Sequence, residues 1–547
     1  MEAFLKKQAI GEMGLMIDVM FVLAKEEGMK KIKLTGLFLA LVMVLTACGG
    51  SNNKQGGDQE GGQAAAGDSS TLKVAVAADA ITLDPENYND VYSESIMAQI
   101  YSKLMDFDSE GKLVEDLAES IEQPDAQSFI VHLKDGVKFH NGDPLKASDV
   151  VFSLKRARKS TKYAYIYEKI DENSFETPDD KTVKFKLTEP DGSFLAALAH
   201  PAVAILNEKA VTEGGDNYGK NPVGTGPYKF DSWTKLQSIS LTRFDDYYGD
   251  KAKSEKVEFR IIPEANNRLI ELESGGVDIA YEIAPNDVKK IEENKDLELL
   301  RKMDQSVHFL GLTVDENGIF ANPKAREAMT HALNMDEIVK TVYQGVGKVA
   351  TGPVNPQIIY SASDQMKPAK YDPELAKKLF AEAGLKEGSH LKLYVNDNQQ
   401  RQDIAQIVQA QLQELGIQVD ITTLEWGAYM EALKNNQHDM FIMSWNPSIA
   451  DPHYAMYSPF HSKNMGEGPN FMFYQNPEVD KVLDQAIQLM NGKEREDLYK
   501  KAQELVDKDH PWIYIANGEQ VVGTRKNVKG LKLRASTTQK LAPVSKD

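Results

Sequence analysis

Residues 372–395, DPELAKKLFAEAGLKEGSHLKLYV, carry the pattern on which the fold turns. Asp372 suits a helix cap, Pro373 belongs in a first turn, and Leu375 and Leu379 fall on one face. Gly384 stops the helix, and Leu391-Lys392-Leu393-Tyr394-Val395 follows as a strand. The order then recurs. Ile404, Ile407, Val408, Leu412 and Leu415 form an apolar stripe closed by Gly416, and Ile417, Val419 and Ile421 alternate beyond it. Upstream, a helix over Asn267 to Ser274 ends at Gly275-Gly276, before a short strand Val277-Asp278-Ile279-Ala280. Asn476-Pro477 opens one more helix. Strands alternating with single helices predict an α/β fold with a largely parallel sheet.

Nearer the start, Thr71 to Val76 alternates as a strand. Ser128 to His140 holds two strand-like runs about a Lys134-Asp135-Gly136 turn, with Asn141-Gly142 as a second turn. Ser148 is a candidate cap for a helix through Ser153 and Leu154, and Val183 to Leu187 alternates again.

At 547 residues the chain exceeds one core, and a prior of roughly 150 residues per domain predicts about three units. The formal charge of −19 opposes nucleic acid as a partner and is the wrong sign for anionic lipid. The single cysteine, Cys48, rules out an intramolecular disulfide. It follows a basic stretch (Lys30, Lys31, Lys33) and an apolar run from Leu34 to Leu45, too short to span a core of roughly 30 Å. Leu45-Thr46-Ala47-Cys48 resembles the bacterial lipobox, in which the cysteine is acylated and the chain is cut before it. Gly49 to Ser70 then reads as a flexible tether reaching about 25 Å. Lys25-Glu26-Glu27-Gly28 before Met29 resembles a translated ribosome-binding site, so Met29 is the expected start.

Catalytic motifs are missing. There is no His-Glu-x-x-His, no Gly-x-Ser-x-Gly elbow and no phosphate loop; Gly224-Thr225-Gly226 runs into Pro227 and reads as a turn. Asp179-Asp180 and Asp245-Asp246 lie in polar, solvated stretches. No enzyme activity, cofactor or metal is expected.

Several short pieces together resemble one family, the extracellular solute-binding proteins of family 5 that serve peptide and nickel ABC importers. They are, in order, Leu83-Asp84-Pro85, Leu117-Ala118-Glu119-Ser120, the block Leu133 to Gly142, Ala147 to Phe152, Val223 to Tyr228, Gly276-Val277-Asp278, Glu425-Trp426, Asp451-Pro452 and Asn476 to Asp480. The resemblance implies a two-lobed periplasmic-binding-protein-like fold (type II, cluster C) with an extra subdomain on the first lobe. The expected division is 1–28 start-site extension, 29–47 signal peptide and 48–70 tether. Lobe I then takes 71–104, its extra subdomain 105–225, and lobe I again 226–300. Lobe II takes 301–515, and 516–547 returns to lobe I. Solute would be buried by closure of the lobes and delivered to a permease pair driven by cytoplasmic ATPases. The protein is expected to be a monomer outside the cytoplasm, anchored through Cys48.

In peptide-binding members two segments hold an extended ligand by its backbone. They match Asp90-Val91-Tyr92 and Trp445-Asn446-Pro447-Ser448 before Asp451. Dipeptide-binding relatives place an Asp where Ser448 stands, and Arg401 only approximates their carboxylate-binding Arg. Longer peptides are therefore the expected solute. The nickel branch, with His453 or His461 near a chelate, is the rival within the family, although both histidines read as merely exposed. Tyr92, Trp426 and Trp445 would also suit a flat ligand such as haem or a sugar. A surface scaffold without transport is the rival from another class.

Overall fold

The computed structural model describes residues 70–547, apart from positions 89, 467, 468 and 537. Cys48, with the expected extension, signal peptide and nearly all of the tether, lies outside the described residues. Asp372 accepts the amide of Leu375, helix Pro373–Ala383 runs on from it, and Gly384 ends it in the left-handed region. Strand His390–Asn396 follows, then helix Gln399–Glu414 and strand Gln418–Leu424. The two strands pair in parallel, as one intervening helix requires.

These strands form one end of an eleven-stranded sheet. From that end its order is Gln418–Leu424, His390–Asn396, Met440–Trp445, Leu297–Leu312, Trp512–Arg525, Ile279–Ala280, Thr71–Val76, Lys256–Ile261, Ser238–Arg243 and Tyr228–Thr234, with Lys348–Val349 beside Trp512–Arg525. The sheet is mixed, not largely parallel. Parallel pairs join His390–Asn396 to both its neighbours and Thr71–Val76 to both of its own, while the centre and the far edge are antiparallel.

The central pair, Leu297–Leu312 with Trp512–Arg525, ties the two lobes together. One end pairs Met440–Trp445 and the other Ile279–Ala280. Its register breaks between Met303 and Val307, where Asp304 accepts the amide and hydroxyl of Ser306 at 2.7 and 2.6 Å. Gly518 sits opposite, and a Cβ there would collide with the Asp304 carboxylate. Such a break disrupts the ladder and bends the strand locally, in a pair that reaches both lobes.

One apolar core joins Leu72, Val74, Ile96, Tyr228 and Phe259 to Val522 and Leu541 from the end of the chain. A second, around Phe129, Val131, Phe185 and Phe194, backs the four-stranded antiparallel sheet Ala118–Glu122, Ser128–Leu133, Thr182–Lys186 and Glu176–Asp179. On the other side of the crossing strands, Leu393, Ile404 and Val408 pack in one core, and Phe309, Leu483 and Trp512 in another. Two local expectations shift. After Leu133 the second run makes only an isolated bridge, Lys138 with Pro144. The next helix is Ala147–Arg158, opened by Asp149, which accepts the Lys146 amide at 3.0 Å, and not by Ser148.

Candidate functional site

Leu83-Asp84-Pro85 works as a clamp. Both oxygens of Asp84 accept from Arg156, at 2.9 and 2.7 Å, and Asp84 also accepts the Glu86 amide and the Asn87 side chain. Tyr163 donates to the Tyr88 carbonyl at 3.0 Å. The chain is thereby delivered to Asp90, whose carboxylate accepts the amide and hydroxyl of Ser93 and caps helix Val91–Ile100. Asp90-Val91-Tyr92 therefore opens a helix. Val91 is 39% exposed, and the half-buried Tyr92 donates to Glu282 at 3.3 Å. Gly224 and Gly226 press on the end of this helix, where a Cβ would strike the carbonyls of Ile100 and Gln99.

Across the cleft, strand Met440–Trp445 ends at the half-buried Trp445, which donates to the Tyr454 carbonyl at 3.2 Å. Asn446 and Ser448 are exposed and Pro447 is buried. Ser448 Oγ lies 3.4 Å from the Tyr165 hydroxyl, so the loop meets the first lobe. Asp451 was expected to touch solute, but it is 1% exposed and holds Arg495, itself 0% exposed, at 2.7 and 3.0 Å. It also caps helix Pro452–Phe460 through the His453 amide. Asp451 supports the wall and does not line it.

Arg401, in the first turn of helix Gln399–Glu414, donates to Asn396 Oδ1 at 2.9 Å and Ser444 Oγ at 3.0 Å and lies over the Trp426 ring at 5.8 Å. Among the described residues it has no carboxylate within ion-pair distance, and burial lowers its pKa. Such a charge is poorly compensated, which suits it to an incoming anion. The buried Tyr343 hydroxyl, whose pKa burial raises against the opposing pull of Arg401, has no hydrogen-bond partner among the described residues.

Between the lobes lies a cavity of about 530 Å³, bounded by Tyr92 and Glu282 from the first lobe, Val346 and Gln400 from the second, and Gln520 on the crossing strand. A smaller one of about 60 Å³ reaches Glu94, Gln305 and Ser448. Sequence reasoning missed Glu94, Glu282 and Gln520. Glu282 carries no local signal, and Gln520 sits on a strand that alternation did not reveal.

Neither His453 nor His461 is exposed: His461 is buried and His453 half-buried. His461 is 2% exposed and its Nδ1 accepts the Lys463 amide; stacked Tyr457 separates it from His453. No group of three or more His, Cys, Asp or Glu suited to a metal occurs among the described residues. Burial lowers His140, His308, His438 and His453 to about 4 and His200 to about 3. Each favours the neutral ring in the folded state. Their stabilisation is complete above the free-imidazole value of about 6.5 and is lost as pH falls through about 4. Glu86 and Glu94, raised by burial to about 8 and about 7, act oppositely but are outnumbered. Denaturant midpoints are expected to fall between pH 6.5 and pH 4.5, less steeply in His200→Gln; a flat profile would refute this.

The sequence pattern described as Bacterial extracellular solute-binding proteins, family 5 Middle, matches residues 112–467. This chain belongs to that family. The glutathione-binding protein GsiB of Shigella dysenteriae serotype 1 is 32% identical over 476 residues, 85% of this chain and 92% of the relative. The ABC transporter-associated periplasmic binding protein DppA from Helicobacter pylori, solved with the peptide STSA, aligns at 30% identity and TM-score 0.74, covering 87% of this chain and 98% of its own. NikZ from Campylobacter jejuni, solved with Ni(L-His), aligns at 25% identity and TM-score 0.73, covering 87% and 100%. As a family 5 member the chain is the substrate-binding protein of an ABC importer, two-lobed and not an enzyme. Family 5 proteins act outside the cytoplasm and work with ABC permeases. No helix among the described residues is long and apolar enough to cross a membrane.

Proposed function

We propose that this chain captures peptides, oligopeptides among them, between its lobes for import, and is held at the membrane through acylated Cys48. The observation that carries the peptide reading is Arg401, a largely buried cation next to the cavity-lining Gln400 that has no acid partner among the described residues and so suits a peptide carboxylate. The cavity of about 530 Å³ lies in the usual range for enclosed small ligands. Relatives that bind glutathione and the peptide STSA support the same class. The nickel-chelate reading keeps a relative, NikZ, but is less favoured here, since His461 is buried, His453 is half-buried, and neither lines the interlobe cavities.

Native mass spectrometry of protein taken from cells should show a copurified peptide, and calorimetry should show binding of glutathione or of peptides of two to nine residues. Binding of nickel-histidine with no peptide bound would overturn the reading. Cys48→Ser should move the protein from the membrane to the soluble fraction; unchanged membrane association would refute the anchor.

A further inference from the structure

Helix Val91–Ile100 divides the interlobe space. Val91, Tyr92 and Ser95 face the larger cavity, and Glu94 faces the smaller one. Glu94 is partly buried, yet among the described residues no hydrogen bond or ion pair is formed by its carboxylate. The opposite wall offers Ser448, a neutral hydroxyl on the loop of the second lobe. Burial raises its pKa to about 7 against the attraction of Lys103 and Arg534, which it does not bond, and a carboxylate desolvated in this way is costly to the fold. Such a cost is characteristic of binding sites.

The cations around Glu94 are bonded to other groups. Lys103, Arg534 and Lys540 all converge on Asp106, at 3.0, 2.8 and 3.0 Å, so their charges are engaged there. Asp116 accepts the Lys103 amide and the Tyr248 hydroxyl, and Asp108 also lines the cavity. Lys134 adds a fourth cation, held on the Asp116 carbonyl, and none of the four is bonded to Glu94. His200, on the same wall, is held neutral by burial and adds no positive charge. A space of about 60 Å³ is about twice a water's share of liquid volume, enough for an amino group and its carbon but not for a side chain.

We propose that Glu94 receives an ammonium group of the solute, from the first lobe and across the cavity from Ser448. The assignment rests on the peptide reading above and deepens it. The solute is then a zwitterion whose cationic end is held by the first lobe and whose carboxylate reaches Arg401 on the second. Each end prefers the lobe that the other does not supply, so a complete solute rewards closure more than either half of it.

The test uses calorimetry of the full chain with trialanine and glutathione, each free and N-acetylated. Acetylation should weaken binding to the wild type by about 30-fold or more. Glu94→Gln should bind the free forms as weakly as the wild type binds the acetylated ones, and should itself no longer distinguish the two. Because burial of the carboxylate outweighs the pull of Lys103 and Arg534 and it forms no hydrogen bond or ion pair among the described residues, Glu94→Gln should melt at the same temperature or higher, which separates lost binding from lost folding. If Glu94→Gln keeps both affinity and discrimination, the assignment to Glu94 falls while the peptide reading stands. If the wild type binds neither the free nor the acetylated forms, both fall together.

Discussion

Asp451→Asn should lower the free energy of unfolding by about 3–5 kcal/mol, the usual cost of stripping one partner from a buried ion pair. Asp451 and Arg495 are 1% and 0% exposed, and both guanidinium nitrogens that face the carboxylate are bound to it. The orphaned guanidinium would keep only Asn491, at 2.7 Å, and the faces of Tyr499 and Tyr360. Asp451 also starts helix Pro452–Phe460, so the Asn446 to Ala450 loop should loosen as well. Denaturant titration followed by tryptophan fluorescence reads the effect, since Trp445 and Trp512 pack in the same core. Pairing Asp451→Leu with Arg495→Met should recover most of the loss, because an apolar pair leaves no buried charge unmatched. An unchanged midpoint together with weaker solute binding would return Asp451 to the ligand surface.

The second large effect is expected at Arg401. Arg401→Gln should weaken a peptide with a free carboxyl terminus by about 100-fold, close to 2.8 kcal/mol at 1.4 kcal/mol per decade. Its two hydrogen bonds within the protein go to neutral oxygens, so no acid is left unpaired by the change, and the unfolding midpoint should hold. Amidating the peptide should cost the wild type about as much and cost the variant nothing further. That is a double-mutant cycle between side chain and ligand. Equal affinity of the wild type for acid and amide would remove Arg401 from the site.

Much of the fold was legible because its signals are local. Asp372 with Pro373, and Asn476 with Pro477, cap their helices as the sequence predicts, and Gly275, Gly384 and Gly416 adopt the left-handed conformation that ends theirs. What alternation could not expose is the pair of strands that unites the lobes. Along Leu297–Leu312 the burial shifts from mostly partial to nearly complete, because its two ends serve different cores. No single face stays inside, so no period of two appears. The same absence hid Gln520.

Capping, glycine stops and apolar periodicity act over about four residues, so the sequence by itself determined the capped helices and the alternating strands, and its ordered motifs the family, but not the central pair of strands. Which charges are spent was decided only by tertiary structure. Asp451 meets Arg495 across 44 positions, while Glu94 and Arg401 meet no opposite charge at bonding distance among the described residues. Electrostatic partners follow distance in space, and distance in space follows from how the chain crosses between its lobes.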